Sequence, residues 1–108
     1  MSAVTTHVLD AARGKPAEGI AVRLETAGGA PLAEGVTNAD GRIGDLGPDR
    51  LDAGDYRLTF GTGDYFAARG VDTFYPEVAI TFRIADPAQH HHVPLLLSPF
   101  AYSTYRGS

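Results

Sequence analysis

Val78-Ala79-Ile80-Thr81-Phe82-Arg83-Ile84 sets an apolar side chain at every second position, and a period of two is the signature of a half-buried β-strand. Tyr56-Arg57-Leu58-Thr59-Phe60 repeats the pattern upstream, as does Ile20-Ala21-Val22-Arg23-Leu24-Glu25. Turn formers separate these runs: Arg13-Gly14-Lys15-Pro16, Gly28-Gly29-Ala30-Pro31, Asn38-Ala39-Asp40-Gly41 and Gly47-Pro48-Asp49. Thirteen glycines and seven prolines spread over many short strands point to an antiparallel sandwich or barrel. One segment departs from the pattern. Thr62-Gly63-Asp64-Tyr65-Phe66-Ala67-Ala68-Arg69-Gly70 offers a Thr or Asp cap, a helix-forming stretch and a terminating glycine, so a single short helix is expected there.

The C-terminal third reads as two further strands. His90, His92, Pro94 and Leu96 share one face of an extended run, whereas His91, Val93, Leu95 and Leu97 share the other. After Ser98-Pro99, the aromatic and β-branched run from Phe100 through Arg106 suits a last strand, and the free carboxylate of Ser108 is expected one residue beyond Gly107.

A chain of 108 residues is near the commonest size for one domain and hides roughly two-thirds of its unfolded surface on folding. With no repeat, linker or low-complexity tract, residues 1–108 are expected to form one unit. A net charge of -4 with acids and bases interspersed gives no basic stripe, so nucleic acid is not an expected partner. No apolar run reaches the roughly 20 residues that a spanning helix needs, so no membrane partner is expected either. Cysteine is absent, which removes thiolate nucleophiles and thiolate metal sites together. Met1 to Asp10 lack a basic stretch followed by an apolar one, so a cytoplasmic protein is expected; a periplasmic one whose signal had been removed would read the same way.

Without cysteine, chemistry must come from His, Ser, Thr, Tyr, Lys or a carboxylate. Histidine can both take and give a proton near neutrality. His7 lies on the expected first strand, and His90 and His92 look the same way from a later one. A lone strand histidine is most often a satisfied structural side chain, and His-x-His could equally present two imidazoles to a metal ion with His7 as a third ligand. Arg42, after the turn Asp40-Gly41, is an exposed arginine on the simplest reading; on the functional one it holds a planar, electron-rich substrate by paired hydrogen bonds. Tyr105-Arg106-Gly107-Ser108 is either a frayed tail or a set of function-capable groups. Gly61-x-Gly63 is no phosphate loop, because neither a Lys-Ser/Thr pair nor a βαβ context accompanies it.

These residues resemble those of the 5-hydroxyisourate hydrolases, the transthyretin-like proteins. The resemblance runs the length of the chain. It rests on Thr5-Thr6-His7-Val8-Leu9-Asp10, Ala12-Arg13-Gly14-Lys15-Pro16-Ala17, Asn38-Ala39-Asp40-Gly41-Arg42, His92-Val93-Pro94-Leu95-Leu96-Leu97-Ser98-Pro99 and the closing Tyr105-Arg106-Gly107-Ser108. That ending is specific to the hydrolases and is lacking in transthyretin, the hormone carrier on the same fold. His91 and Ala101 depart from the common pattern, standing where many members have Tyr and Gly.

The resemblance implies an all-β, transthyretin-like (prealbumin-like) antiparallel β-sandwich of two four-stranded sheets, with one short helix after the fifth strand. It also implies a homotetramer, a dimer of dimers with active sites in a central channel. His7, Arg42, His92 and Ser108 match catalytic positions, and His90, Tyr105, Arg106 and Gly107 match positions that line the pocket. The implied activity is hydrolysis of a purine-derived small molecule, 5-hydroxyisourate, in urate degradation, with no cofactor and no catalytic metal. Two alternatives stand beside it: a carrier of small aromatic ligands on the same fold, and a zinc-dependent hydrolase using His7, His90 and His92.

Overall fold

The computed structural model describes residues 2–108. The alternating runs become one antiparallel sheet of four strands: β3 (Ala21–Thr26), β4 (Pro31–Val36), β6 (Gly54–Phe60) and β7 (Val78–Ile84), in the order β4-β3-β6-β7. In this register Leu24 faces Leu58 and Phe60 faces Val78, so each apolar side chain meets another on the same face. Val22, Leu24, Leu58, Phe60, Val78 and Ile84 are buried, while Ala79, Thr81 and Arg83 between them are exposed. The period of two has sorted the side chains as expected.

The second sheet holds β1 (Val4–Asp10), β2 (Lys15–Pro16), β5 (Arg42–Ile43), β8 (His91–Ser98) and β9 (Ala101–Thr104). It corrects the expected count of four strands. β1 runs parallel to β8 along one side, while its other side is shared by β2, at Leu9 and Asp10, and β5, at Thr6 and His7. The sheet is therefore four strands wide, with its outer position divided between two short segments. The β1·β8 pairing is parallel within an otherwise antiparallel sandwich. The last strand is also shorter than expected: β9 ends at Thr104, and Gly107 rejoins the sheet through an isolated bridge to His92.

Val4, Val8, Val93, Leu95 and Leu97 point inward from this sheet against the first, forming one core with Ile20, Leu46, Tyr65 and Phe66. His91 belongs to this inward set and is buried, its Nδ1 3.0 Å from the Gln89 carbonyl, so it looks away from His92 as the alternation requires.

The helix α1 (Thr62–Ala68) forms where expected, but its start differs. Gly61 occupies the N-cap, and no side chain caps the helix; the Thr62 hydroxyl donates instead to the Tyr75 carbonyl at 3.2 Å. Its end is a Schellman arrangement, with Gly70 at φ 69°, Gly70 N–H donating to Ala67 O and Val71 N–H to Phe66 O. Tyr65 ties the helix to β1, its hydroxyl donating to Asp10 Oδ2 at 2.8 Å. Burial first, then the Asp10 carboxylate, push the Tyr65 phenol above its ordinary pKa and keep it a donor. No helix is long and apolar enough to cross a membrane.

Candidate active site

The site lies on the face of the second sheet that points away from the core. On β1 the inward residues are Val4, Thr6 and Val8, which leaves Thr5 and His7 on the outer face. Thr5 pairs with His92 and His7 with Pro94 in the parallel register, and His7 pairs with Arg42 across the other side of the strand. Paired residues share a face. Three strands far apart in sequence thus bring Thr5, His7, Arg42 and His92 to one surface.

Local chemistry fixes Arg42. Asn38 Oδ1 accepts hydrogen bonds from Asp40 N–H at 2.9 Å and Arg42 N–H at 3.0 Å, closing an Asx-type turn. Gly41 adopts φ 74°, and its carbonyl accepts from Val8 N–H at 2.7 Å. A Cβ on Gly41 would collide with the Val8 carbonyl, so only glycine lets the turn lie this close to β1. The turn delivers Arg42 opposite His7.

Thr5, Thr6, Arg42, Ile43, Gly44, His90, His92 and Ser108 line an open depression of about 400 Å³. Thr5 Oγ1 lies 2.8 Å from His90 Nε2 and 2.8 Å from His92 Nδ1, tying the two imidazoles together. Thr6 Oγ1 faces the other way and donates to the Val93 carbonyl at 2.7 Å, pinning β1 to β8 beneath the site. Gly107 N–H donates to the His92 carbonyl at 2.9 Å, and this contact brings Ser108 to the rim.

The electrostatics favour neutral imidazoles. Desolvation is the largest influence holding the His7 pKa below its ordinary value, with the Arg42 guanidinium adding to it and Asp40 opposing. Desolvation likewise leads at His92, followed by Arg42, His7 and His90, while hydrogen bonding to the Thr5 backbone works the other way. Two histidines that stay unprotonated beside a fixed positive charge can act as bases near neutrality. The guanidinium in turn can meet a carbonyl oxygen as it becomes negative.

The expected residues are not all gathered in one place. Arg42, His90, His92 and Ser108 line the depression together, and His7 stands beside them on the same face. Tyr105 and Arg106 instead line a separate cavity of about 290 Å³ with Ile80, Phe82, Val93 and Thr104. Arg106 there donates to Gln89 Oε1 at 2.9 Å. His92 borders both cavities. Thr5 carries no expectation from the sequence, although it is the residue that touches two of the histidines; a threonine on a strand looks like any other β-branched residue until its neighbours are known. Among the described residues, no group of three or more His, Cys, Asp or Glu side chains is placed to hold a metal ion.

Known proteins share this arrangement of chain and fold. A 5-hydroxyisourate hydrolase of Salmonella typhimurium is 49% identical over 97% of this chain and 80% of its own length. The structure of the Klebsiella pneumoniae 5-hydroxyisourate hydrolase superimposes with a TM-score of 0.90 at 45% identity, covering 97% of this chain and 98% of that one. Sea bream transthyretin, solved with thyroxine, follows with a TM-score of 0.88 at 34% identity, covering 96% and 93%. The sequence profile of one family spans residues 4–107, from the first strand to the glycine bonded to His92, and by that match this chain belongs to the HIUase/Transthyretin family.

Proposed function

We infer that this chain is a hydrolase of 5-hydroxyisourate, acting in urate degradation and yielding 2-oxo-4-hydroxy-4-carboxy-5-ureidoimidazoline. The observation that carries the reading is the outer face of the second sheet, where neutral-leaning His7 and His92 flank Arg42 and Ser108 reaches the rim of the same depression. Water attacks the cyclic amide carbonyl, a C–O bond forms and the ring C–N bond breaks. One proton leaves the water and one arrives on the departing nitrogen, so the reaction needs a base and an acid, and His7 and His92 share that work. Arg42 holds the ring and offsets negative charge on the tetrahedral oxygen. Ser108 orients the water or an imidazole.

The depression is open on the solvent side, and a carbonyl hydrolysis gains from a site shielded from bulk water. A homotetramer, a dimer of dimers, would cover it with a second copy of the sheet face. The exposed Phe100 and Tyr102, beside and on β9, support this packing. Sedimentation run alongside assays tests the link: dilution below assembly should silence the enzyme.

The direct test generates hydroxyisourate with urate oxidase and follows its absorbance. Decay accelerated by the protein supports the reading, whereas binding without accelerated decay would make the chain a carrier.

A further inference from the structure

Thr5 is buried on β1, directly beside His92 in the parallel register, and both polar partners of its hydroxyl are ring nitrogens. A hydroxyl has one proton to give, and a neutral imidazole carries one N–H. Two arrangements satisfy both 2.8 Å contacts. In the first, His92 Nδ1–H donates to Oγ1 and the hydroxyl donates to His90 Nε2, which leaves both rings protonated on Nδ1 and His92 Nε2 bare. In the second, His90 Nε2–H donates to Oγ1 and the hydroxyl donates to His92 Nδ1, which leaves both rings protonated on Nε2. An arrangement in which both rings donate would strand the hydroxyl proton away from the two nitrogens that are its partners.

We propose that Thr5 is a positioning residue that locks His90 and His92 into a shared tautomer and so couples the base and acid forms of His92. This rests on the hydrolytic reading above. The proton count closes. When His92 Nε2 takes a proton from water, the Nδ1–H of His92 passes to Oγ1 and the hydroxyl proton passes to His90 Nε2. One proton has entered, one has moved on, and the positive charge resides on His90. The reverse shift returns it to His92 Nε2 for the departing nitrogen. Thr5 takes no part in the bond-making in this scheme; it holds His90 and His92 to the same tautomer and passes the proton between them.

The test combines ¹⁵N-histidine NMR with steady-state kinetics on the wild type, Thr5→Val, Thr5→Ser and His90→Phe. Thr5→Val keeps the shape and removes the hydroxyl. It should move the His92 Nδ1 and Nε2 shifts toward an averaged tautomer mixture and lower kcat at least about tenfold with KM little changed, as expected when a catalytic imidazole loses its orienting partner. Thr5→Ser should restore both readouts. His90→Phe approaches the relay from its other end, so it should shift the His92 nitrogens even where Thr5→Val proves too unstable to study. Unchanged His92 nitrogen shifts in either Thr5→Val or His90→Phe would overturn the proposal, as would a Thr5→Val enzyme with wild-type kcat. A wild-type protein that leaves hydroxyisourate untouched would sink the hydrolytic reading instead, and the nitrogen shifts would still decide the coupling.

Discussion

Gly107 lies against the ring of His92: a Cβ at position 107 would collide with His92 Cδ2 and stand 3.1 Å from Cγ and 3.2 Å from Cβ of the same side chain. The glycine backbone is not in the left-handed region, so what forbids a side chain here is the imidazole and not the chain's own conformation. The consequence is specific. Gly107→Ala must displace either the ring or the tail that carries Ser108. We expect kcat to fall roughly 100-fold, a loss within the range of a misplaced acid-base group. The change sits at the sheet's edge, so thermal melting should move by no more than about 3 °C. Wild-type turnover in this variant would show that the contact is ornamental.

On the proposed mechanism, His92→Ala removes an imidazole that exchanges protons with water or the leaving nitrogen. Its kcat should drop by about 10²- to 10⁴-fold while the circular dichroism spectrum and melting midpoint stay near wild type. His7→Ala should behave alike. Near-normal turnover in either would remove that residue from the proton chemistry.

Arg42 adds to desolvation in keeping both histidines neutral. Its guanidinium contributes to lowering the pKa of His7 and of His92, so Arg42→Gln should raise both midpoints in an NMR titration of the ring protons. In the wild type, kcat/KM should hold to lower pH than an ordinary histidine, of pKa about 6.5, would allow, and then fall as the bases protonate. The same shifts carry a sign for stability. Folding lowers both pKa values, so from about pH 6.5 down to the folded midpoints the unfolded chain binds more protons. This contribution is fully present above that window and is lost as pH falls through it. Midpoints that do not move in Arg42→Gln would detach Arg42 from the pair.

Tyr65→Phe separates stability from function. The buried Asp10 carboxylate loses the hydroxyl that donates to Oδ2, keeping the Arg13 N–H on Oδ1 at 3.1 Å. The cost should be about 1–3 kcal/mol, read as a melting point lowered by at least about 4 °C, with kcat unchanged. An unaltered melting point would mean that the helix needs no such tether.

The long alternating runs were legible because nothing competes with a period of two over seven residues, as in Val78–Ile84. His91 and His92 were correctly assigned to opposite faces by the same rule. Shorter elements escaped it: Arg42–Ile43 is a strand of two residues, recognisable only by its pairing with Thr6 and His7. The cap of α1 differs because Gly61 takes the N-cap position and Thr62 falls inside the helix, where its hydroxyl donates to Tyr75, a residue brought in by tertiary packing. The parallel pairing of β1 with β8 leaves no trace in composition, and with it went the role of Thr5, whose hydroxyl acquires meaning only when His90 and His92 arrive beside it. Arg42, His92 and the Tyr105–Ser108 tail stand out by their chemistry as well as by resemblance, yet Tyr105 and Arg106 face a different cavity from Ser108.

The bond between Thr5 and His92 spans 87 positions of sequence. Loops of that length close late, after local structure has formed. A ribosome making this protein from its N-terminus would have emitted His7 and Arg42 long before their partner exists, so the nascent chain is chemically mute for nearly the whole of its synthesis. The outer-face cluster then comes together in a single act, when the eighth strand docks beside the first, and the Thr5–His92 bond regained during refolding would serve as a clock for that one event.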